Sequence, residues 1–445
     1  MTITQSGSIV ISGVAASSVA DNIALAAVVC TGDGTTCQPV GSAGPLLFTV
    51  LPTLSITQLQ YTNSEPVWQD GPGTSDTAMS KTVWTKSATY PSVFVSGNTI
   101  NATATFSLSS PAPSSLSGVS TTGNVSGLGQ LAGSVNIPAG ATSVTANLTG
   151  NTAFPSSKTE YYSGLSVTWY ASYSGQKCSS SSAQCLSAGS TSSPVYVTLA
   201  APSGLSESVM PFTAVKLAIG EGGATTQAQA FTNTWQQFAG PANVTGWDGR
   251  PLYYYEQGVP FSGCATNSVD LLTQTNGSGQ CGSWARLLMD ALAINGISST
   301  FVTVTPGVAD RMLVNSWSFG DTPTYPSQAP WEYSFIPVIE SGGPGMVPLP
   351  SSSVFGDLTS TSGVAGQNSP TPSEKFFASH FIVKAPSGLS VGGPYFDPSY
   401  GVTYLNACSF ESEAIAGYAD EIAGSSNSAF YVEKPSGKCS ATLTP

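Results

Sequence analysis

Only 8% of the 445 residues are charged, and 24 acidic against 12 basic residues leave a net charge of −12. A chain so poor in Lys and Arg has no basic stripe with which to displace counterions from a phosphate backbone, which excludes DNA or RNA as its partner. No run of about 18 apolar residues interrupts the Ser-, Thr- and Gly-rich sequence, so no helical membrane span is expected. The length suggests a multidomain protein.

In chain order, the first pattern is a repeat. A strand-like run, Ile23 to Val29, leads to Cys30 and Cys37, then a Ser/Gly loop and a second run, Leu46 to Val50. The same order returns with Leu165 to Tyr170, Cys178 and Cys185, and Val195 to Leu199. The two copies end near Pro52 and Pro202, so residues 53–202 read as one complete all-β module of short strands, an immunoglobulin-like sandwich. Residues 1–52 read as the C-terminal part of an earlier copy, so that either the chain is a fragment of a longer protein or this short module borrows strands from elsewhere. Truncation also accounts for an N-terminus, Met1 to Ser8, without the segments of a signal peptide. Within the module, 107–133 is so rich in Ser, Gly and Pro that loops around short strands are expected. Disulfides Cys30–Cys37 and Cys178–Cys185 follow from the repeat, and Cys408 and Cys439 are candidates for a third. Persistent disulfides belong to extracellular or cell-surface proteins.

From about residue 203 the pattern changes to α+β. Ala228, Phe231, Trp235 and Phe238 recur at helical spacing and predict the first helix over 225–238. Trp247 to Tyr255 reads as a turn and strand, and 269–273 as a short helix. Then comes Asn276-Gly-Ser-Gly-Gln-Cys281, a loop that delivers a cysteine to a helix with Ala285, Leu288, Met289 and Leu292 on one face and Asn295-Gly296 as its stop. Strands are expected over 299–305, 311–317 and 331–340.

Cys281 falls at a helix N-terminus, where unpaired N–H groups and the macrodipole favour a thiolate. A nucleophilic cysteine needs a base, and the chain holds one histidine, His380, in a strand-like run from Phe376 to Lys384. After a Gly/Pro turn comes Tyr395-Phe-Asp397-Pro-Ser-Tyr-Gly401, and a hairpin there brings Asp397 beside His380 to orient the ring. Taken singly, each residue has a plainer role: a disulfide cysteine, a structural histidine, a turn aspartate. Gly277 to Gly282 also spells G-x-G-x-x-G, but no buried parallel strand precedes it, which disfavours a dinucleotide site.

The run Gly279-Gln280-Cys281-Gly-Ser-Trp-Ala285, the helix ending Ile294-Asn-Gly-Ile297, the His380 strand and the Phe396-Asp397-Pro-Ser399 element resemble the transglutaminase-like superfamily of papain-type cysteine enzymes. The resemblance covers roughly the last half of the chain, and a long insert between Ile297 and His380 departs from compact members. It implies an α+β catalytic domain over 203–445, with Cys281 as nucleophile, His380 as base and Asp397 as orienting acid. Animal members also carry an upstream tryptophan that helps hold the oxyanion, which makes Trp247 a candidate; Gln280 is another. The expected activity is acyl transfer on peptide or carboxamide bonds of an extracellular protein or cell-wall peptide, a hydrolase being favoured over a cross-linker. No cofactor is implied and no zinc constellation exists, while calcium on scattered loop carboxylates stays open. A surface adhesion or stalk protein with an inactive domain is the alternative, and Tyr253, Tyr254 and Tyr255 raise carbohydrate binding as a third. Cys264 is left over, as a buried thiol or a reversible partner of Cys281.

Overall fold

The structure, a computed structural model, describes residues 51–75, 82–173, 175, 177–178, 185–206, 209–240, 244–255, 259–306, 311–314, 317–321, 364–370 and 376–421, and the backbone of strands at 21–23, 26–30, 37–42, 46–48, 430–433 and 441–444. The N-terminal strands are β1 (Asp21–Ile23), β2 (Ala26–Cys30), β3 (Cys37–Ser42) and β4 (Leu46–Phe48). β2 and β3 form a hairpin whose last register pair is Cys30 with Cys37, so a strand begins at Cys37 where the repeat predicts a Ser/Gly loop. Their side chains lie outside the described residues, as does Cys439.

Ten strands follow: β5 (Leu54–Tyr61), β6 (Val67–Trp68), β7 (Val83–Thr85), β8 (Ser92–Val95), β9 (Thr99–Leu108), β10 (Leu116–Val125), β11 (Gly129–Ile137), β12 (Ser143–Ala153), β13 (Glu160–Ser172) and β14 (Leu186–Thr198). All but β6 join one β-rich, curled sheet in the order β7-β5-β9-β12-β11-β10-β13-β14-β8. Along β9 burial alternates, with Ile100, Ala102, Ala104, Phe106 and Leu108 turned inward, the period-two pattern of a sheet with one wet face. These residues pack against Trp169, Leu131, Val195 and Val197 in a core of their own. A sandwich implies two separate sheets; instead the hydrogen-bonded ladder is continuous. Register shifts in the β10–β11, β12–β9 and β13–β14 pairs add local twist, which lets one sheet curl over its own core. The loops expected over 107–133 are corrected too: β10 and β11 span much of it as long strands. Thr121 and Thr122 are buried on β10, because a sheet ladder satisfies the backbone whatever the polarity of small side chains. The expected disulfide Cys178–Cys185 is formed between β13 and β14. Cys408 is also disulfide-bonded, and Cys439, its expected partner, falls outside the described residues.

The second half comprises β15 (Met210–Pro211), α1 (Phe212–Ile219), α2 (Gln227–Ala239), β16 (Tyr253–Tyr254), α3 (Ser268–Thr273), β17 (Ser278–Gly279), α4 (Cys281–Ile294), β18 (Thr300–Pro306), β19 (Arg311–Val314), β20 (Phe376–Phe377), β21 (His380–Lys384), β22 (Tyr395–Asp397), β23 (Val402–Tyr404), α5 (Ala407–Ala414), β24 (Ile415–Glu421), β25 (Phe430–Glu433) and β26 (Ala441–Thr444). The predicted helix over 225–238 is α2, started by the Thr226 side chain accepting from Gln229 N–H. It is not the first helix. α1 precedes it and buries Phe212, Val215, Leu217 and Ile219 on all sides, so no polar stripe marked it in the sequence. The strand expected over 331–340 lies outside the described residues.

α4 is the axis of this half, and its burial reaches beyond the expected apolar stripe. Trp284, Ala285, Leu287, Leu288, Ala291 and Leu292 are all fully buried, while Met289 is half-buried and Arg286 is exposed. α1, α2 and α3 cover one side, and β21 and β18 the other. β18 and β21 belong to an antiparallel sheet ordered β23-β22-β21-β18-β26. Among the described residues no helix is long and apolar enough to cross a membrane.

Polar contacts fuse the two halves. Asn295, the C-cap of α4, accepts from Leu199 N–H at 3.0 Å and donates to the Ala218 carbonyl at 2.9 Å. Asp70, just after β6, accepts from Thr213 N–H at 2.9 Å and from the Thr213 hydroxyl, at the start of α1.

Candidate active site

Three elements, α4, β21 and β22, converge on one point. α4 begins at Cys281, so the N–H groups of Cys281 and Gly282 precede its first backbone bonds, while those of Ser283 and Trp284 donate to Gln280 O. The start of the helix is set by the backbone of Gln280, whose N–H donates to Ala265 O at 2.8 Å while its carbonyl accepts from Ser283 Oγ at 2.7 Å. Gly282 lets this end lie close to its surroundings: a Cβ there would stand 3.1 Å from Thr266 O and 3.4 Å from the Phe381 ring. Phe381 adjoins His380 on β21, so this approach sets the start of α4 against that strand, with the Cys281 side chain near His380.

The aspartate arrives from the next strand. β21 and β22 pair with Val383 opposite Phe396. One step further, Asp397 comes opposite Ile382, on the same face as His380 and diagonal to it. Nε2 of His380 and Oδ2 of Asp397 lie 2.7 Å apart, a buried charge-assisted pair. Asp397 Oδ1 accepts from Ser399 N–H at 3.1 Å, which fixes the carboxylate in the β22–β23 turn. The other ring nitrogen, Nδ1, is thereby left for Cys281. It reaches no fully formed hydrogen bond at rest, although the Cys281 side chain is near enough to help hold the ring proton. Catalytic hydrogen bonds are often long before substrate binds.

Burial works against the imidazolium, but the charge of Asp397, then that of Cys281, and hydrogen bonds to both outweigh it and hold the His380 pKa up at about 10. The ring is boxed by aromatic groups: Tyr400 stacks on it with centroids 5.5 Å apart, and Phe377 meets it edge-on at 5.6 Å. Beside it, Met312, Trp317, Phe410 and Ile415 help line a small apolar pocket. Such walls keep the local dielectric low and strengthen each charge interaction inside. All three groups are covered, with Cys281 4%, His380 3% and Asp397 0% exposed.

The remaining candidates lie elsewhere or are engaged. Trp247 is corrected: its indole N–H donates to the Asp70 carbonyl and its ring packs edge-on against Phe212, so it is an anchor between the halves and its donor is spent. The Gln280 side chain is half-buried at the helix start and makes no capping bond. Tyr254 and Tyr255 are 1% and 6% exposed, which removes them as a carbohydrate-binding surface. Cys264 is a buried thiol 3.3 Å from Ser278 Oγ; neither it nor Cys281 is in a disulfide. Among the described residues no three His, Cys, Asp or Glu side chains cluster as a metal site.

Two neighbours escaped the sequence reading. Tyr400 stacks on the base, and Tyr254 meets its hydroxyl at 3.3 Å. The only signals were the aromatic run at 253–255 and the Asp-Pro-Ser-Tyr turn, neither of which says that they meet. Comparison with protein-family profiles and with curated proteins gives no match.

Proposed function

We propose that the protein is a cysteine acyl-transfer enzyme acting on peptide or carboxamide bonds, with Cys281 as nucleophile, His380 as general acid and base, and Asp397 as the group that orients and charges the ring. One observation carries the reading: the only imidazole in the chain lies between a free thiol at a helix start and a buried carboxylate. Asp397 holds Nε2, which leaves Nδ1 to exchange a proton with sulfur. The thiolate attacks a carbonyl carbon, the helix-start N–H of Cys281 receives the developing oxyanion, and His380 gives its proton to the leaving amine. Water or an amine then takes the acyl group. The order Cys, His, Asp and the helix-on-sheet setting support placing 203–445 with the transglutaminase-like enzymes. The disulfides of Cys178 and Cys408 support an extracellular or cell-surface setting, with peptide or protein as substrate. A second reading, a surface adhesion or stalk protein with a silent site, is favoured by the near-complete burial of the three groups.

Labelling with iodoacetamide, followed by peptide mass spectrometry, separates the two. An enzyme alkylates at Cys281 well before Cys264, and His380→Ala slows this at neutral pH by about tenfold or more. A native protein that leaves Cys281 unlabelled, or labels it equally in His380→Ala, sinks the enzymatic reading. Full-chain protein incubated with carboxamide-bearing peptides, with and without a primary amine, then distinguishes hydrolysis from amine transfer.

A further inference from the structure

The indole of Trp247 is committed to Asp70, and the Tyr254 hydroxyl stands between the strand before Cys281 and the ring that flanks His380. We propose, building on the acyl-transfer reading, that Tyr254 is a catalytic residue whose phenol O–H joins the Cys281 backbone N–H in holding the oxygen of the tetrahedral intermediate.

The geometry comes from three sides. β16 runs parallel to β17 with Tyr254 in register with Gly279, two residues before the nucleophile, and the next residue, Tyr255, donates its N–H to Gly279 O at 3.2 Å. From behind, segment 364–370 fixes the ring. Tyr254 N–H donates to Gln367 O at 2.9 Å, and Gly366 lies so close that a Cβ there would come within 2.2 Å of Tyr254 Cδ1. In front, the Tyr254 hydroxyl reaches that of Tyr400 at 3.3 Å, and the Tyr400 ring is stacked on His380 with an interplanar angle of 28°. The phenol therefore lies between the strand that delivers the nucleophile and the ring that flanks the base.

Its electrostatics suit a donor. Burial, then the neighbouring Tyr400 and the charge of Cys281, push the Tyr254 pKa well above the usual phenol range, so the proton stays in place. At 3.3 Å the bond to Tyr400 is beyond the usual O–H···O distance of about 2.5–3.0 Å, and the O–H loses little by turning to a charged acceptor. In the reaction the S–C bond forms as the carbonyl π pair moves to oxygen. Tyr254 and the Cys281 N–H hydrogen-bond that oxygen without giving up a proton. The pair returns to carbon as the C–N bond breaks, and the leaving amine takes its proton from His380.

Two reagents isolate this role in the full chain. Iodoacetamide alkylates a thiolate by displacement, with no oxyanion, whereas p-nitrophenyl acetate acylates it through one. Tyr254→Phe is expected to keep its Cys281 alkylation rate within about threefold of wild type while acylation slows about a hundredfold, with the thermal midpoint unchanged. Equal losses in both rates, or an unchanged acylation rate, overturn the assignment. If Tyr254→Phe does not fold, 3,5-difluorotyrosine at the same position keeps the ring and alters the donor. A change in acylation alone supports the role, and identical rates overturn it. Wild-type protein inert to both reagents overturns the acyl-transfer reading, and this inference with it.

Discussion

Because the chain has one histidine, the proton chemistry of the site can be read at a single residue. The charge of Asp397 does most to keep His380 protonated against burial, with its pKa at about 10 against an ordinary 6.5. A basic group raised in this way adds stability that is complete below its unfolded pKa and is lost as pH rises through the folded value. The window here runs from about pH 6.5 to about 10. Asp397→Asn should lower the midpoint of the only histidine ring signal in a proton NMR titration by more than about one unit, with a parallel narrowing of the stability plateau. A midpoint that does not move would assign the raised pKa to another cause. Cys264 carries a contrasting expectation. Its sulfur lies against Ser278 Oγ, and it forms no disulfide. Cys264→Ser should therefore leave Cys281 labelling, and its independence of mild reductant, unchanged; a labelling rate that rises in the variant would revive the reversible lock.

Among the elements, α4 matters most, because it both carries the proposed nucleophile and ties the halves together. Its start was visible as a Gly-rich loop before an apolar run, and its stop as Asn295-Gly296. The burial of Trp284, Leu287 and Ala291 beyond that stripe was not, since a helix period reports one apolar face and says nothing of what covers the rest. At its C-cap, Asn295 holds Leu199 N–H and the Ala218 carbonyl at once. Asn295→Ala leaves both without their partner and should cost about 2–4 kcal/mol in denaturant unfolding, since orphaned buried polar groups cost about 1–3 kcal/mol each. A loss below about 0.5 kcal/mol would mean that the two halves are not coupled through this cap.

At the scale of the whole molecule, the joint between the curled sheet and the helical half should be pH-sensitive. Asp70 accepts two hydrogen bonds from Thr213, yet burial outweighs them and raises its pKa from 3.8 to about 6. An acid with a raised folded pKa favours the protonated native state. The native state therefore binds more protons than the unfolded one between those values, and stability falls as pH rises from about 4 to about 6. The shift corresponds to on the order of 3 kcal/mol. Asp70→Asn should flatten that slope in chemical-denaturation profiles taken across the window. A wild-type profile with no fall there, or a variant with the same slope, would rule out Asp70 as its source.

Much of this was written in local sequence. The helix-start cysteine, the lone histidine, the hairpin that carries Asp397 and the Cys178–Cys185 bridge each depend on residues close together, where turn chemistry and side-chain period act directly. The structure brings His380 and Asp397 together because the register of β21 and β22 follows from their short connection. What lay beyond reach were contacts made across long separations: Trp247 donating to Asp70, Tyr254 meeting Tyr400, and Gln367 backing the tyrosine strand. Small polar strands such as β10 were hidden for a related reason, since their burial is set by neighbours across the sheet rather than by their own apolarity. Local spacing thus determined which groups can do chemistry, while tertiary packing alone decided which donors surround them, because a hydrogen bond is satisfied by whichever partner the fold brings within reach.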